Sequence, residues 1–265
     1  MTDGVETGGT ALLAREPSGL CLGCHYAGSL LLAGRCRPGD TCIRAHSGRQ
    51  IDRFLRSNRD EAPLYLQDLF WERRAIAARY APLEMIESLM HDSDEVVRRV
   101  VASRLPLERL HALIHDPDRE VRLTVATRLP PAALTPLLKD PDYLIRVTLA
   151  QRLPHGQLAR LARDPEREVR KAVARRLPPF ALYTLAADPE AEIRAIVASR
   201  ALPGLAATLL QDPEWWVRLA AVHNAPPESL PPLLHDPEAE VREAARQRLE
   251  KTAPPLSPSP RKDGS

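Results

Sequence analysis

The sequence predicts an all-α solenoid of about eight 24-residue repeats headed by a small four-cysteine domain, and three observations carry that reading. Asp-Pro recurs at Asp116, Asp140, Asp164, Asp188, Asp212 and Asp236 with a constant step of 24 residues. Leu-Pro recurs at Leu105, Leu129, Leu153 and Leu177 with the same step. All four cysteines fall between Cys21 and Cys42. A short fixed period marks a stacked array, and a tight cysteine cluster marks metal ligands or bridges.

Residues 1–16 are expected to be a flexible N-terminus. Asp3 and Glu6 stand where a secretory leader would carry positive charge, and Ser29 to Ala33 is too short for a leader core or a membrane span. The protein is therefore expected to be cytoplasmic and without membrane contact. Lys and Arg number 37 against 35 Asp and Glu, so a formal charge of +2 excludes attraction of the whole molecule to nucleic acid, and any basic surface must be local.

Residues 17–67 read as a four-cysteine module with capping helices. In a reducing compartment clustered cysteines are expected to be metal ligands rather than disulfides. Cys21, Cys24, Cys36 and Cys42 form C-x2-C-x11-C-x5-C, four thiolates that complete a tetrahedral or cluster ligand set. Gly23 frees the backbone between the first two. The second pair, with Pro38 and Gly39 inside it, is too widely spaced for a second zinc knuckle and fits neither common ferredoxin spacing. Spacing alone leaves Zn²⁺ and an iron-sulfur cluster open. His25 and His46 lie nearby but are superfluous where four cysteines are present. The aromatic-rich stretch with Phe54, Tyr65, Leu66, Phe70 and Trp71 is expected to cap the first end of the solenoid.

Residues 68–250 are the repeats, since the register reaches back in weaker form to Asp92-Ser93 and Asp68-Leu69. Each unit should hold two helical segments that begin at its prolines, with the aspartate before proline as N-cap. Val121, Thr124, Val125 and Arg128 fall on one face of the longer helix. Leu134, Leu137 and Leu138 mark a shorter segment, partly 3₁₀. Neither can bury its own apolar stripe, so the units must stack, and Ala102, Ala126, Ala150, Ala174 and Ala198 allow close approach. In the sixth unit the second marker slips to Leu202-Pro203, which predicts a local kink. Only Gly156 and Gly204 interrupt residues 49–250, leaving no phosphate-cradling loop. Residues 251–265, with Pro254, Pro255, Pro258 and Pro260, are expected to be a disordered tail.

Two arginine rows follow the repeat. The row Arg74, Arg98, Arg122, Arg146, Arg170, Arg194, Arg218 and Arg242 has an acid four residues earlier in all but the first unit, which predicts structural i,i+4 pairs. The row Arg104, Arg128, Arg152, Arg176 and Arg200 lacks such an acid, so its guanidinium groups either serve helix C-termini or line a surface for an acidic protein or a nucleic-acid backbone. Asn224 breaks this row. Trp215 and Trp216 are candidate exposed anchors for a partner. His91, His115 and His235 share one register and are expected to fill loops rather than act as pH switches.

A 24-residue unit of the form Asp-Pro-x-x-x-Val-Arg-x-x-Val-Ala-x-Arg-Leu-Pro resembles the leucine-rich repeat variant family over residues 68–250. The resemblance implies a right-handed superhelix of alternating α and 3₁₀ helices. It also implies an N-terminal module holding a [4Fe–4S] cluster, with that ligand role carried onto Cys21, Cys24, Cys36 and Cys42, and it favours the cluster over Zn²⁺. It further associates such proteins with nitrogen-fixation gene neighbourhoods.

No nucleophile, zinc-protease or nucleotide-binding motif is present, so catalysis is not expected. The expected function is an iron-sulfur repeat protein that recognises a protein partner and serves electron transfer, redox sensing or structure. The alternatives are a nucleic-acid-binding solenoid built on the second arginine row, and a zinc-stabilised interaction scaffold.

Overall fold

Proline sets the rhythm of the chain. The structure, a computed structural model, describes residues 19–252. Long helices span Trp71–Tyr80, Glu95–Arg104, Arg119–Arg128, Tyr143–Arg152, Arg167–Arg176, Ala191–Arg200, Trp215–Val222 and Ala239–Thr252. They alternate with short segments that are 3₁₀ or a single α-turn running into 3₁₀, as in Pro131–Ala133, Thr135–Lys139 and Pro179–Leu185. Leu129, Leu153 and Leu177 stop their helices because a residue before proline is driven out of the α region, and their ψ values lie between 140 and 147°. Among the described residues there is no strand beyond one isolated bridge, Arg37 to Thr41. The chain divides into two compact units after Leu113.

Within a repeat the long helix buries Val121, Val125 and Ala126, the marker leucine Leu129 fills the corner, and Leu134 and Leu137 close the core from the short segment. A fully buried leucine or valine contributes roughly 1.5–3 kcal/mol.

Several expectations require correction. The helix does not start at the proline: it starts two residues later, and the N-cap is Asp118 or Asp142, whose carboxylate accepts from Val121 N–H or Leu144 N–H. Where the acid before arginine is aspartate, at Asp94, Asp118 and Asp142, it is thus a cap, while Glu166, Glu190 and Glu214 hold the N-cap position without a side-chain capping bond, and the arginine pairs elsewhere. Arg122 Nε and Nη2 grip Asp140, the Asp-Pro aspartate of the next repeat, at 2.7 and 3.0 Å. The same fork joins Arg74 to Asp92, Arg146 to Asp164, Arg170 to Asp188, Arg194 to Asp212, and Arg218 to Asp236. Meanwhile Arg122 Nη1 donates to the carbonyls of Asp116 and Pro117 in its own repeat, and Asp140 Oδ1 also accepts Asp142 N–H. One guanidinium therefore locks two consecutive Asp-Pro loops.

In the sixth unit the slipped marker leaves the 24-residue register intact. Ala201 occupies the buried site of the marker leucine, Leu202 stands at the preceding-proline position, 49% exposed, and Pro203 starts an uninterrupted Pro203–Leu209 helix. Asp212 keeps its place and its bond to Arg194. His91, His115 and His235 are exposed and fill no loop. Lys251 and Thr252, assigned to the tail, belong to the helix Ala239–Thr252, and both the rest of that segment and residues 1–16 lie outside the described residues.

Two outcomes follow from the interlock. Asp188→Ala strands the buried Arg170 charge and should cost about 3–5 kcal/mol in urea unfolding followed by circular dichroism, against about 1 kcal/mol for loss of the Asp118 cap. Burial is the largest influence on Asp92 and Asp212 and raises both, but the hydrogen bonds from Arg74 and Arg194, those from the backbone N–H of Asp94 and Glu214, and the charges of the neighbouring arginines together outweigh it and hold both below the usual carboxylate range; in Asp236 the bond from Arg218 is the leading cause. Because the folded values are depressed, the stability these groups add should be full above a pH of about 4, the unfolded aspartate value, and lost as pH falls through the folded values. Urea midpoints measured from pH 7 to pH 2 should be flat and then drop on the acid side.

Candidate metal centre

Two tight turns gather the cysteines. In the first, Cys24 N–H bonds to Cys21 O at 3.1 Å across Gly23, whose φ of +65° few other residues adopt. Arg44 Nη1 pins this turn by donating to Leu22 O at 2.8 Å. In the second, Arg37 and Thr41 exchange backbone hydrogen bonds of 2.7 and 2.8 Å, and Pro38 and Gly39, with φ +82°, make the bend. That small hairpin returns Cys42 to Cys36, so the five-residue spacer is closed, and the spacing that looked too wide for a chelating pair is not wide in space. Gln50 holds it, its Nε2 donating to Gly39 O and its own carbonyl accepting Cys42 N–H.

None of the four cysteines forms a disulfide; Cys21, Cys36 and Cys42 are buried and Cys24 is half-buried. Burial pushes the Cys36 thiol up to about 11, and Cys42, Cys24 and Cys21 each push it further in the same direction, with a hydrogen bond to Cys42 adding to it. Four sulfurs so placed repel one another as thiolates. A cationic group held by these sulfurs would relieve that repulsion, so the chemistry of the donor set fits a sulfur-ligated group. Among the described residues no three His, Cys, Asp or Glu side chains converge closely enough to grip a single ion. His25 and His46 are exposed and meet Tyr26 and Phe70 edge-on.

The aromatics expected to cap the solenoid serve the module as well. Tyr26 is 3% exposed, packs against Phe54 with ring centroids 5.1 Å apart, and donates from its hydroxyl to Glu61 at 2.9 Å. Tyr65 donates to the same hydroxyl at 3.1 Å and feels the charge of Cys24. Asn58 Nδ2 reaches Arg35 O at 3.1 Å, and Arg35 reaches Ser57 O at 3.0 Å. The module is thereby laced to the Gly48–Ser57 helix and the Arg59–Tyr65 turn. Further on, Asp52 accepts from Tyr80 at 2.8 Å and pairs with Arg56 and Arg79, tying that helix to Trp71–Tyr80. Tyr26 and Glu61 left no motif in the sequence; a buried tyrosine two residues after a ligand was the only available signal.

The second candidate site, the free arginine row, is not free. Arg104 Nη1 donates to Ala78 O and Ala81 O, Arg176 Nη1 to Ala150 O at 2.7 Å, and Arg152 and Arg200 to Ala126 O and Ala174 O. Each satisfies a carbonyl in the last turn of the long helix one repeat back. Arg128 is half-buried at the same register. Asn224 does not break this pattern, because its Nδ2 makes the equivalent bond to Ala198 O at 3.0 Å. Trp215 and Trp216 are each 38% exposed at the start of their helix, and Trp216 Nε1 donates to Glu214 at 3.1 Å.

Residues 19–63 match a family model described as the LRV protein FeS4 cluster. Residues 71–94, 119–142, 167–190 and 215–238 match the leucine rich repeat variant model. A solved structure described as a leucine-rich repeat variant with a novel repetitive protein structural motif is similar at 55% identity over 86% of this chain and 98% of that one, with a TM-score of 0.80. Two engineered proteins, at 17% and 19% identity, cover 85% and 73% of this chain and 78% and 95% of their own, with TM-scores of 0.37 and 0.24, too distant to inform the site. No curated protein gives a significant match.

Gly39→Ala should lower stability by about 1–2 kcal/mol through left-handed strain, while Gly28→Ala, with no positive φ and open space beside it, should change nothing measurable. Thermal melts of the two variants side by side check this.

Proposed function

The chain belongs to the leucine-rich repeat variant family, and from that premise we propose that Cys21, Cys24, Cys36 and Cys42 hold one [4Fe–4S] cluster at the head of a repeat array that binds a protein partner and responds to redox state. That the chain is an iron-sulfur-binding repeat protein follows from the match of residues 19–63 and of the repeats to their family models. The observation that carries the finer reading is the gathering of four cysteines, none of them in a disulfide, by two turns.

When bound, such a cluster supplies a one-electron couple whose potential depends on charge, hydrogen bonds to sulfur and solvent exposure. The chain's own residues set those conditions. Gly23 and Gly39 shape the turns that present the thiols. Tyr26, held neutral because burial and the hydrogen bonds with Tyr65 and Glu61 push its pKa far up, closes the inner side without adding charge. Cys24, the half-buried thiol, and Leu22, 73% exposed, mark the side open to solvent. Electron exchange with a partner would take place there. The repeats supply recognition, since stacked units display one extended surface. On this reading the protein turns over no substrate, works in the cytoplasm and serves a partner in nitrogen-fixing metabolism. Among the described residues no helix is long and apolar enough to cross a membrane.

Anaerobically purified protein should carry iron and acid-labile sulfide at about four each, with a broad visible absorption that bleaches on dithionite. Cys36→Ala should lose most of that iron while the repeats keep their helical circular dichroism. Zinc without sulfide would overturn the cluster and leave a zinc-stabilised scaffold; iron that no reductant bleaches would leave a structural cluster.

A further inference from the structure

Carboxylates are segregated in the unit that begins at Ile114. Every Asp and Glu from residue 114 to residue 227 sits at an Asp-Pro loop or in the first residues of a long helix. The short segments between them hold none. Three successive short segments, His155–Leu161, Pro179–Leu185 and Pro203–Leu209, therefore present an acid-free strip. On the first of these segments or just past it, the side chains of His155, Arg160 and Arg163 are exposed, as is that of Lys139, the equivalent of Arg163 one repeat earlier, and none of the four makes a hydrogen bond or ion pair among the described residues. This contrasts with both conspicuous arginine rows, whose guanidinium groups are engaged.

The middle segment carries two large exposed aromatics, Phe180 at 71% and Tyr183 at 68%. They are three residues apart in a 3₁₀ helix, so they stand one above the other on the same edge. Their register equivalents on the neighbouring repeats are Gly156 and Ala159 before them and Gly204 and Ala207 after them. Nothing lies within 4 Å of where a side chain would begin at either glycine. Phe180 and Tyr183 therefore form a ridge with a small-residue trough on each side. Exposing such aromatics to water is unfavourable, and an aromatic ridge with flanking hollows has the form of a binding hot spot.

We propose that this strip is the docking surface for an acidic, apolar-studded segment of a partner protein, whose side chains straddle the Phe180–Tyr183 ridge while its carboxylates meet Arg160, Arg163 and Lys139. The inference rests on the reading of the repeats as a protein-interaction array and adds where and to what chemistry they bind. Charge complementarity selects the sign of the partner, and discreteness selects its class. The exposed cations on and beside the strip are few and irregularly spaced, whereas a continuous polyanion is held by a continuous basic track; a peptide can place isolated carboxylates opposite the guanidinium groups, which suit bidentate pairing.

The test uses the full, cluster-loaded chain, with iron assayed in every sample. Anisotropy of a fluorescein-labelled glutamate/leucine peptide should rise on binding at low salt and respond less to a fluorescein-labelled oligothymidylate. Phe180→Ala with Tyr183→Ala, and separately Arg160→Glu with Arg163→Glu, should each weaken peptide binding by about tenfold or more, as expected for central anchors. Trp215→Ala with Trp216→Ala should leave it unchanged. All these positions are exposed, so helical circular dichroism should match the parent. Tighter binding of the oligothymidylate, equal peptide binding by the two strip variants, or no peptide binding at full iron content would each overturn the proposal. The last result would leave the cluster reading standing, and peptide binding without iron would do the reverse.

Discussion

Everything in the repeat region depends on one buried ion pair used over and over. A guanidinium has five donors in a rigid fork, and here three edges of that fork are spent on two loops: two on the carboxylate ahead and one on the carbonyls behind. Lysine could neutralise the charge but could not reach both loops in fixed geometry. Isolated buried ion pairs gain little over apolar packing. Their value here is register: a repeat displaced by one residue would leave an arginine and an aspartate buried without partners, a penalty that selects one alignment of neighbouring units.

The second arginine row repeats the logic at the opposite end of the long helix. Helix termini leave carbonyls unsatisfied, and an arginine or asparagine from the next repeat reaches back to them. The long helices Arg119–Arg128, Tyr143–Arg152, Arg167–Arg176 and Ala191–Arg200 are thus secured at the N-terminal side through the aspartate loop and at the C-terminal side through a carbonyl, while Val121, Val125 and their equivalents fill the space between. With both rows committed to holding the array together, the docking surface proposed above falls on the short segments instead.

The cysteine module follows a different rule. It has almost no regular structure, and its shape comes from glycines in left-handed turns, backbone hydrogen bonds across short loops, and a tyrosine buried against the first helices. Such a module has a small apolar core, so a bound cluster would add a large share of its stability. The aromatics Phe54 and Tyr65 transmit that dependence to the helices that precede the first repeat.

The sequence by itself determined the repeat length, the all-helical class, the buried positions and the four thiols, because proline, hydrophobic spacing and cysteine clustering act locally and leave a periodic trace. It also displayed both members of the interlock, an arginine column and an aspartate column, but not their partnership. Arg122 is four residues from Asp118 and eighteen from Asp140, and local rules favour the nearer acid; only stacking shows that Asp118 turns to cap its helix and leaves Arg122 to Asp140. The same holds for the Cys36–Cys42 spacer, wide along the chain and closed by a hairpin, and for the ridge of Phe180 and Tyr183, whose flanking hollows belong to repeats before and after it. Contacts between residues a full repeat apart depend on how the repeats lie against one another, and that was decided by tertiary packing.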